Sequence, residues 1–311
     1  MIQRDRAAHS VMFCGEKGSG RKLMAKYYTA SLLCEAPENG VPCGSCPACR
    51  MVDSFSHPDV TVVPTSGKLG GYSVETARSV CSDAFIKPNN NTGKKVYLFF
   101  DCRKMDPRTQ NTLLKLIEEP PDYAYFIFTA ESKYEFLPTI ISRCCCFGVS
   151  PCTGEESAAA LRESGFSEKE ISAAVSCFHG NIGRCTEYIV DESLRKQVDL
   201  TKRIADSIIR RDEYELNSAF FAIGSDRDSA HTVLSMTDLL VRDAAVLSKD
   251  SAAGAAGCHR DSALRLSQVI SAYQAARIHS RIEKAWSAIE SNVSIPLVFA
   301  ALCCEIINIA V

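Results

Sequence analysis

The sequence predicts a parallel α/β domain followed by an all-helical half, and three observations carry that expectation. Eleven of the twelve prolines lie at or before Pro151, so turns punctuate the first half while the second can run in long helices. Within the first half, short apolar runs alternate with helical stretches: Val11–Cys14, Val60–Val63, Val96–Phe100 and Tyr125–Thr129, with a fifth candidate at Cys145–Val149. These runs lack polar alternation, which suits strands covered by helices on both faces.

The first run leads into a glycine-rich loop and then a helical stretch. The clearest helix is Pro107–Glu119. Asp106 is placed to cap it, Pro107 suits its first turn, Leu113, Leu114 and Ile117 share a face, and Pro120-Pro121 stops it. From Thr153 to Asp191 the pattern predicts a small helical unit, with two helices flanking Gly165 and then a turn at Gly180-Asn181-Ile182-Gly183. Amphipathic helices come next, from Glu192, interrupted by the loose segment Ser248–Gly257. The expected domains are therefore 1–150, 151–191 and 192–311.

Composition narrows the function classes. The chain has 311 residues, 46% of them hydrophobic and 23% charged, values of a folded globular protein rather than a disordered one. A net charge of −2 argues against a basic nucleic-acid wrapper. The longest apolar run, Ile295–Cys304, is far shorter than the roughly 20 residues that span a bilayer. The charged N-terminus lacks the apolar core of a secretory signal, so the sixteen cysteines are expected to be thiols or metal ligands of a cytoplasmic protein.

Gly15-Glu16-Lys17-Gly18-Ser19-Gly20-Arg21-Lys22 stands between the first strand and the first helix, where a Walker A loop cradles phosphates with backbone N–H groups. Gly15 and Gly20 fit the G-x-x-x-x-G-K-[ST] template, with Gly18 between them. Arg21 stands at the lysine position and Lys22 at the hydroxyl position. The hydroxyl that ligates Mg²⁺ is thus missing, and a protonated ammonium there repels the metal. The second acidic element is altered too. The run Val96–Phe100 leads into Asp101-Cys102, where an ATPase carries a metal-binding carboxylate and a second one that orients water. Asp101 can be a surviving metal carboxylate or a cap on the turn at the strand end. Gly15, Gly18, Gly20, Arg21, Lys22 and Asp101 are therefore a degenerate candidate nucleotide site. Neither ATP nor Mg²⁺ is expected as a cofactor of this chain, and no hydrolysis is expected there.

Cys34, Cys43, Cys46 and Cys49 have the spacing C-x8-C-x2-C-x2-C in a segment rich in Gly and Pro. Two-residue gaps let successive thiolates turn onto one ion, and four thiolates match a closed structural Zn²⁺ site. Iron–sulfur is the lesser alternative. The other twelve cysteines show no ligand spacing and are expected to be small buried hydrophobes. Arg143, in Ser142-Arg143-Cys144, comes after Leu137-Pro138-Thr139-Ile140-Ile141 near the last strand. Its planar fork suits either a salt bridge or a phosphate held by a neighbouring molecule. Arg184, after Gly180-Asn181-Ile182-Gly183, suits similar roles. The apolar face Ile295–Ile306 suits either oligomeric helix packing or an intrachain core.

The combination resembles bacterial DNA polymerase III clamp-loader subunits. HSVMFCGEKGSGRK, the four-cysteine insert, SHPDV (Ser56–Val60), KKVYLFFD, NTLLKLIEEPP (Asn111–Pro121) and LPTIISRC (Leu137–Cys144) occur in that family's order, with GNIGR and LLVRD (Leu239–Asp243) as weaker matches. The resemblance is to delta-prime, with gamma/tau as the near alternative, and Arg21, Lys22 and Cys102 favour the former. It implies an AAA+ module: a P-loop-type parallel-sheet domain (1–150) with a four-cysteine zinc insert (34–49), a small helical lid (151–191) and a helical collar (192–311). It also implies a hetero-pentameric ring with gamma/tau and delta, acting on a sliding clamp and primer-template DNA, with no membrane partner. Arg143 would be a trans-acting arginine finger, and Arg184 would join the degenerate nucleotide site. The family carries a further segment before His9-Ser10 that helps enclose the adenine. Either the start lies upstream, the chain is a piece, or the pocket is incomplete, and each weakens the expectation of ATP binding here. Two other classes remain as alternatives: an ATP-hydrolysing gamma/tau-type subunit and a stand-alone zinc-containing DNA-binding module.

Overall fold

The apolar runs become the five strands of one parallel sheet: β1 (Ser10–Cys14), β2 (Val60–Val62), β3 (Lys95–Phe99), β4 (Ala124–Ala130) and β5 (Cys145–Gly148). The computed structural model describes residues 7–65, 71–102 and 105–310. It divides into two units, Met1–Ser150 and Pro151–Val311. In the first unit the strand order is β2-β3-β4-β1-β5 and every pairing is parallel. Met12 of β1 lies beside Phe128 of β4 and Cys146 of β5.

Side chains alternate across the sheet and build two cores. Met12, Tyr97, Phe99, Phe126 and Phe128 pack against α3 (Val74–Asp83), α4 (Pro107–Glu118) and α5 (Pro138–Ile141). Val11, Phe13, Val96, Leu98 and Ile127 pack against α1 (Arg21–Leu33) and α2 (Pro47–Asp53). The result is the expected three-layer α/β arrangement. Strands β3 and β4 are buried along their whole length, which is why they read as uninterrupted apolar runs. Strand β5 lies at the sheet edge and is largely exposed.

Helix α4 forms where its caps predict. Asp106 accepts a hydrogen bond from Thr109 N–H at 2.7 Å, Pro107 occupies the first turn, and the helix ends before Pro120-Pro121. Leu116, rather than the half-buried Leu114, joins Leu113 and Ile117 in the core. Gln110, buried on this helix, ties it to the chain on either side. Its Nε2 donates to Met105 O at 2.8 Å and Glu135 O at 3.2 Å, and its Oε1 accepts from Leu137 N–H at 2.7 Å. A 3-10 turn (Lys133–Glu135) and α5 are thereby fixed to α4. The SHPDV segment is structural: His57 Nδ1 accepts from Asp59 N–H, and the Asp59 carboxylate accepts from Asn89 N–H and Asn90 Nδ2.

The second unit is helical: α6 (Gly154–Glu163), α7 (Glu168–Phe178), α8 (Ile182–Val190), α9 (Glu192–Arg210), α10 (Glu213–Phe221), α11 (Arg227–Leu247), α12 (Arg260–Leu266), α13 (Ala272–Glu290) and α14 (Ile295–Ala310). Capping boxes at Thr153/Glu156 and Ser167/Glu170 open α6 and α7. The segment read as a turn at 180–183 is shorter than expected. Ile182 and Gly183 already belong to α8, because the Asn181 side chain accepts from Arg184 N–H and starts that helix. The loose segment 248–257 is held at its end by buried Asp243, which accepts from Ala256 N–H at 3.0 Å and Gly257 N–H at 2.7 Å. Ile295, Val298, Phe299, Leu302 and Ile306 of α14 fill the core shared by α9–α14, so the intrachain alternative accounts for that face. Among the described residues no helix is long and apolar enough to cross a membrane.

Candidate functional site

The carboxyl ends of β1, β4 and β3 lie side by side, and their loops converge on one constellation. Gly15 leaves β1 with its N–H donated to Ala130 O at 3.1 Å. A Cβ there would lie 2.4 Å from Val149 O and 2.6 Å from Ser19 Oγ, so the close approach requires glycine. Gly18 (φ +86°) and Gly20 (φ +94°) supply the left-handed turns that bring α1 round, and Gly20 leaves the helix without a side-chain cap. The loop therefore keeps the backbone features that the sequence predicts for a phosphate cradle.

Its side chains are committed elsewhere. Arg21 is 7% exposed. Its Nη1 donates to Gly15 O at 2.5 Å and its Nη2 to Asp101 Oδ1 at 2.7 Å, with Glu131 Oε1 at 3.7 Å. Lys22 Nζ lies 2.5 Å from Asp101 Oδ2 and over the Phe100 ring. Both oxygens of the Asp101 carboxylate thus face protein cations. Burial alone would raise the Asp101 pKa, but the hydrogen bonds and charges of Lys22 and Arg21 hold it below the usual carboxylate range. Asp101 itself sits at φ +53°, with its N–H donated to Thr129 Oγ1 at 2.9 Å. Cys102 is fully buried, its thiol donates to Phe99 O at 3.4 Å, and burial pushes its pKa far above the ordinary value. It is not a group that can orient or deprotonate water.

Thr129 and Glu131 were not among the residues the motifs singled out. They stand at the end of β4, the strand between those that carry the loop and Asp101, and strand order is the signal that finds them. Arg143 lies just past α5. Its Nη2 donates to Glu118 Oε1 at 2.8 Å, and its Nη1 donates to Thr139 O at 3.1 Å and Ser142 Oγ at 3.2 Å. The salt bridge read as one of its two roles is therefore present. Arg184 belongs to the second unit, where Nη1 lies 3.1 Å from Glu187 Oε2 and the guanidinium lies over the Phe178 ring.

The cysteine cluster has the opposite character. The sulfurs of Cys34, Cys43, Cys46 and Cys49 all lie within 4.8 Å of one another, close to the roughly 3.8 Å edge of a tetrahedron with metal–sulfur bonds of about 2.3 Å. Backbone N–H groups turn toward them: Cys43 N–H to Cys34 Sγ at 3.3 Å, Cys46 N–H to Cys43 Sγ at 3.3 Å and Cys49 N–H to Cys46 Sγ at 3.4 Å. Hydrogen bonds from the Ser45 and Cys46 backbone lower the Cys43 pKa to about 6, whereas burial pushes Cys49 up to about 12. Four convergent thiols fit a closed structural Zn²⁺ site, which would bind helix α2 to the end of α1. Of the other twelve cysteines, five are buried as expected, but Cys145, Cys146 and Cys304 are exposed. The first two are on the surface because β5 is an edge strand.

Residues 1–153 match a family described as DNA polymerase III, delta subunit. Three relatives agree with it. DNA polymerase III subunit gamma/tau of Mycoplasma pneumoniae is 34% identical over 46% of this chain and 20% of its own length. Subunit delta' of Bacillus subtilis is 33% identical over 46% of this chain and 42% of its own length. Subunit delta' of Escherichia coli is 27% identical over 70% of this chain and 65% of its own length. The chain belongs to the DNA polymerase III clamp-loader family. The match spans less than half of the first two relatives. In this clamp-loader chain the family match takes in the whole sheet unit, and with it the glycine loop, Asp101, the cysteine cluster and Arg143.

Proposed function

We propose that this chain is a non-hydrolysing, delta-prime-type subunit of a DNA polymerase III clamp loader. In that role it joins gamma/tau and delta subunits in a five-membered ring in the cytoplasm and helps place a sliding clamp on primed DNA. Residues 151–191 act as the lid, and 192–311 as the collar that joins the ring. Zn²⁺ on Cys34, Cys43, Cys46 and Cys49 staples the insert, and Arg143 reaches the ATP site of a neighbouring subunit. The observation that carries this proposal is the pairing of both Asp101 oxygens with Arg21 and Lys22. A loop whose metal carboxylate is neutralised from within, beside a buried Cys102, has neither the Mg²⁺ ligand nor the water-orienting group that hydrolysis needs.

The test is ATP hydrolysis by a ring reconstituted with gamma/tau and delta, comparing wild type with Arg143→Ala, and with the isolated chain alongside. The isolated chain should be silent, and Arg143→Ala should cut clamp- and DNA-stimulated turnover by about 10³-fold or more at the site it serves. Turnover by the isolated chain, abolished by Asp101→Asn, would instead establish the gamma/tau-type ATPase. That second reading draws on the 34% identity to a gamma/tau subunit.

A further inference from the structure

We infer that Glu118 is a positioning residue for Arg143, holding its guanidinium ready for an anionic oxygen supplied from outside this chain. The inference rests on the trans-acting role proposed for Arg143. Arginine offers five N–H donors in a planar fork. In Arg143, Nη1 is occupied by Thr139 O and Ser142 Oγ, and Nη2 makes one bond, to Glu118 Oε1 at 2.8 Å. Among the described residues Nε has no partner. Nε and Nη2 are adjacent donors, so one pair of neighbouring N–H positions keeps capacity for a phosphate oxygen, the geometry that bidentate recognition uses.

Glu118 differs in kind from the other two partners. Thr139 and Ser142 belong to the same short turn as Arg143 and move with it. Glu118 is 25 residues away and is the last residue of α4, so it is the contact that sets the arginine's direction against the rest of the unit. Its own position is firm. Gln110 ties α4 to the segment leading into α5, and Pro120-Pro121 fixes where the helix ends. The carbonyl end of α4 also favours a cation at this point. The pair is accessible, with Arg143 and Glu118 side chains 34% and 53% exposed, so an incoming oxygen can join it without a buried charge being uncovered.

The experiment uses the reconstituted ring with sliding clamp and primed DNA, and reads kcat and KM for ATP. Variants are Glu118→Ala, Glu118→Gln, Arg143→Ala and the Glu118→Ala/Arg143→Ala pair, each first checked for ring assembly. Glu118→Ala should lower kcat by about three- to tenfold with KM unchanged, a misplacement effect well short of losing the arginine. Glu118→Gln, which keeps an accepting Oε1, should recover part of that loss. In the Arg143→Ala background Glu118→Ala should add nothing. The same loss in both backgrounds would mark Glu118 as merely structural and overturn the inference. So would an unchanged or increased kcat in Glu118→Ala while Arg143→Ala remains slow. If Arg143→Ala has no effect in an assembled ring, the trans-acting role falls first and this inference falls with it.

Discussion

Two clusters in the same sheet unit show opposite ways for a binding constellation to be completed. Around the glycine loop, groups of opposite charge meet: Arg21 and Lys22 take the two oxygens of Asp101, and Arg21 reaches the loop carbonyl at Gly15. Around the insert, four groups of the same kind converge, met by backbone N–H groups of their own loop. Like donors crowded together require something from outside, whereas complementary donors do not. On the function proposed above, the contrast separates a site that calls for a ligand from one that its own side chains complete.

The largest expected effect breaks the comparison on the cysteine side. Purified protein should hold about one zinc per chain by elemental analysis, because four thiolates close a single tetrahedral site. Chelation or Cys46→Ser should release it and lower stability by at least about 3 kcal/mol. That is less than the roughly 10–16 kcal/mol of isolated zinc peptides, since the sheet core also holds α1 and α2. Metal-free protein with unchanged thermal stability would show that the sulfurs converge without need of an ion.

The next effect is on the other cluster. Asp101→Ala leaves a buried arginine and a lysine facing each other with no carboxylate between them. It should cost about 2 kcal/mol, between the values for exposed pairs and for fully buried ones, because the Asp101 side chain is 45% exposed. Its pH dependence has a definite sign. The folded-state pKa is depressed by Lys22 and Arg21, so the contribution is complete above the unfolded value near 3.9 and is lost as pH falls through the folded one. The gap in melting temperature between wild type and Asp101→Asn should be widest at neutral pH and close below about pH 4. A gap that persists in acid would show that the carboxylate's charge is not what holds the loop.

How far this contrast was legible in the sequence depends on the distance between partners. The cysteine cluster was readable because its ligands lie within one short segment. Strands β3 and β4 were readable because burial on both faces leaves no polar alternation, and α4 because Asp106, Pro107 and Pro120-Pro121 mark its ends locally. The changed identities at Arg21, Lys22 and Cys102 were visible too. What they do was not, because Arg21 and Asp101 are 80 residues apart and meet only when β1 and β3 flank β4. Thr129 and Glu131 were missed for the same reason. The start of α8 was missed because Gly180-Asn181 signals a turn until the Asn181 side chain is seen to cap a helix. Glu118 falls inside the NTLLKLIEEPP segment, but nothing local to that segment names its partner. It is an ordinary surface glutamate until the chain returns with Arg143.

The smallest effect sharpens the comparison most. Lys22→Thr restores the hydroxyl that a metal-binding loop carries, yet leaves Arg21 on Asp101 Oδ1 and on Gly15 O. Lys22 is the more exposed of the two cations, so its loss should cost only about 0.5 kcal/mol. Because the buried arginine still neutralises the carboxylate and spans the loop, the variant should gain no shift in melting temperature with millimolar MgATP. A clear upward shift in Lys22→Thr would assign the closure of the loop to Lys22 alone. The pair would then be one ammonium away from the kind of site the cysteines form, one completed only by a ligand from outside.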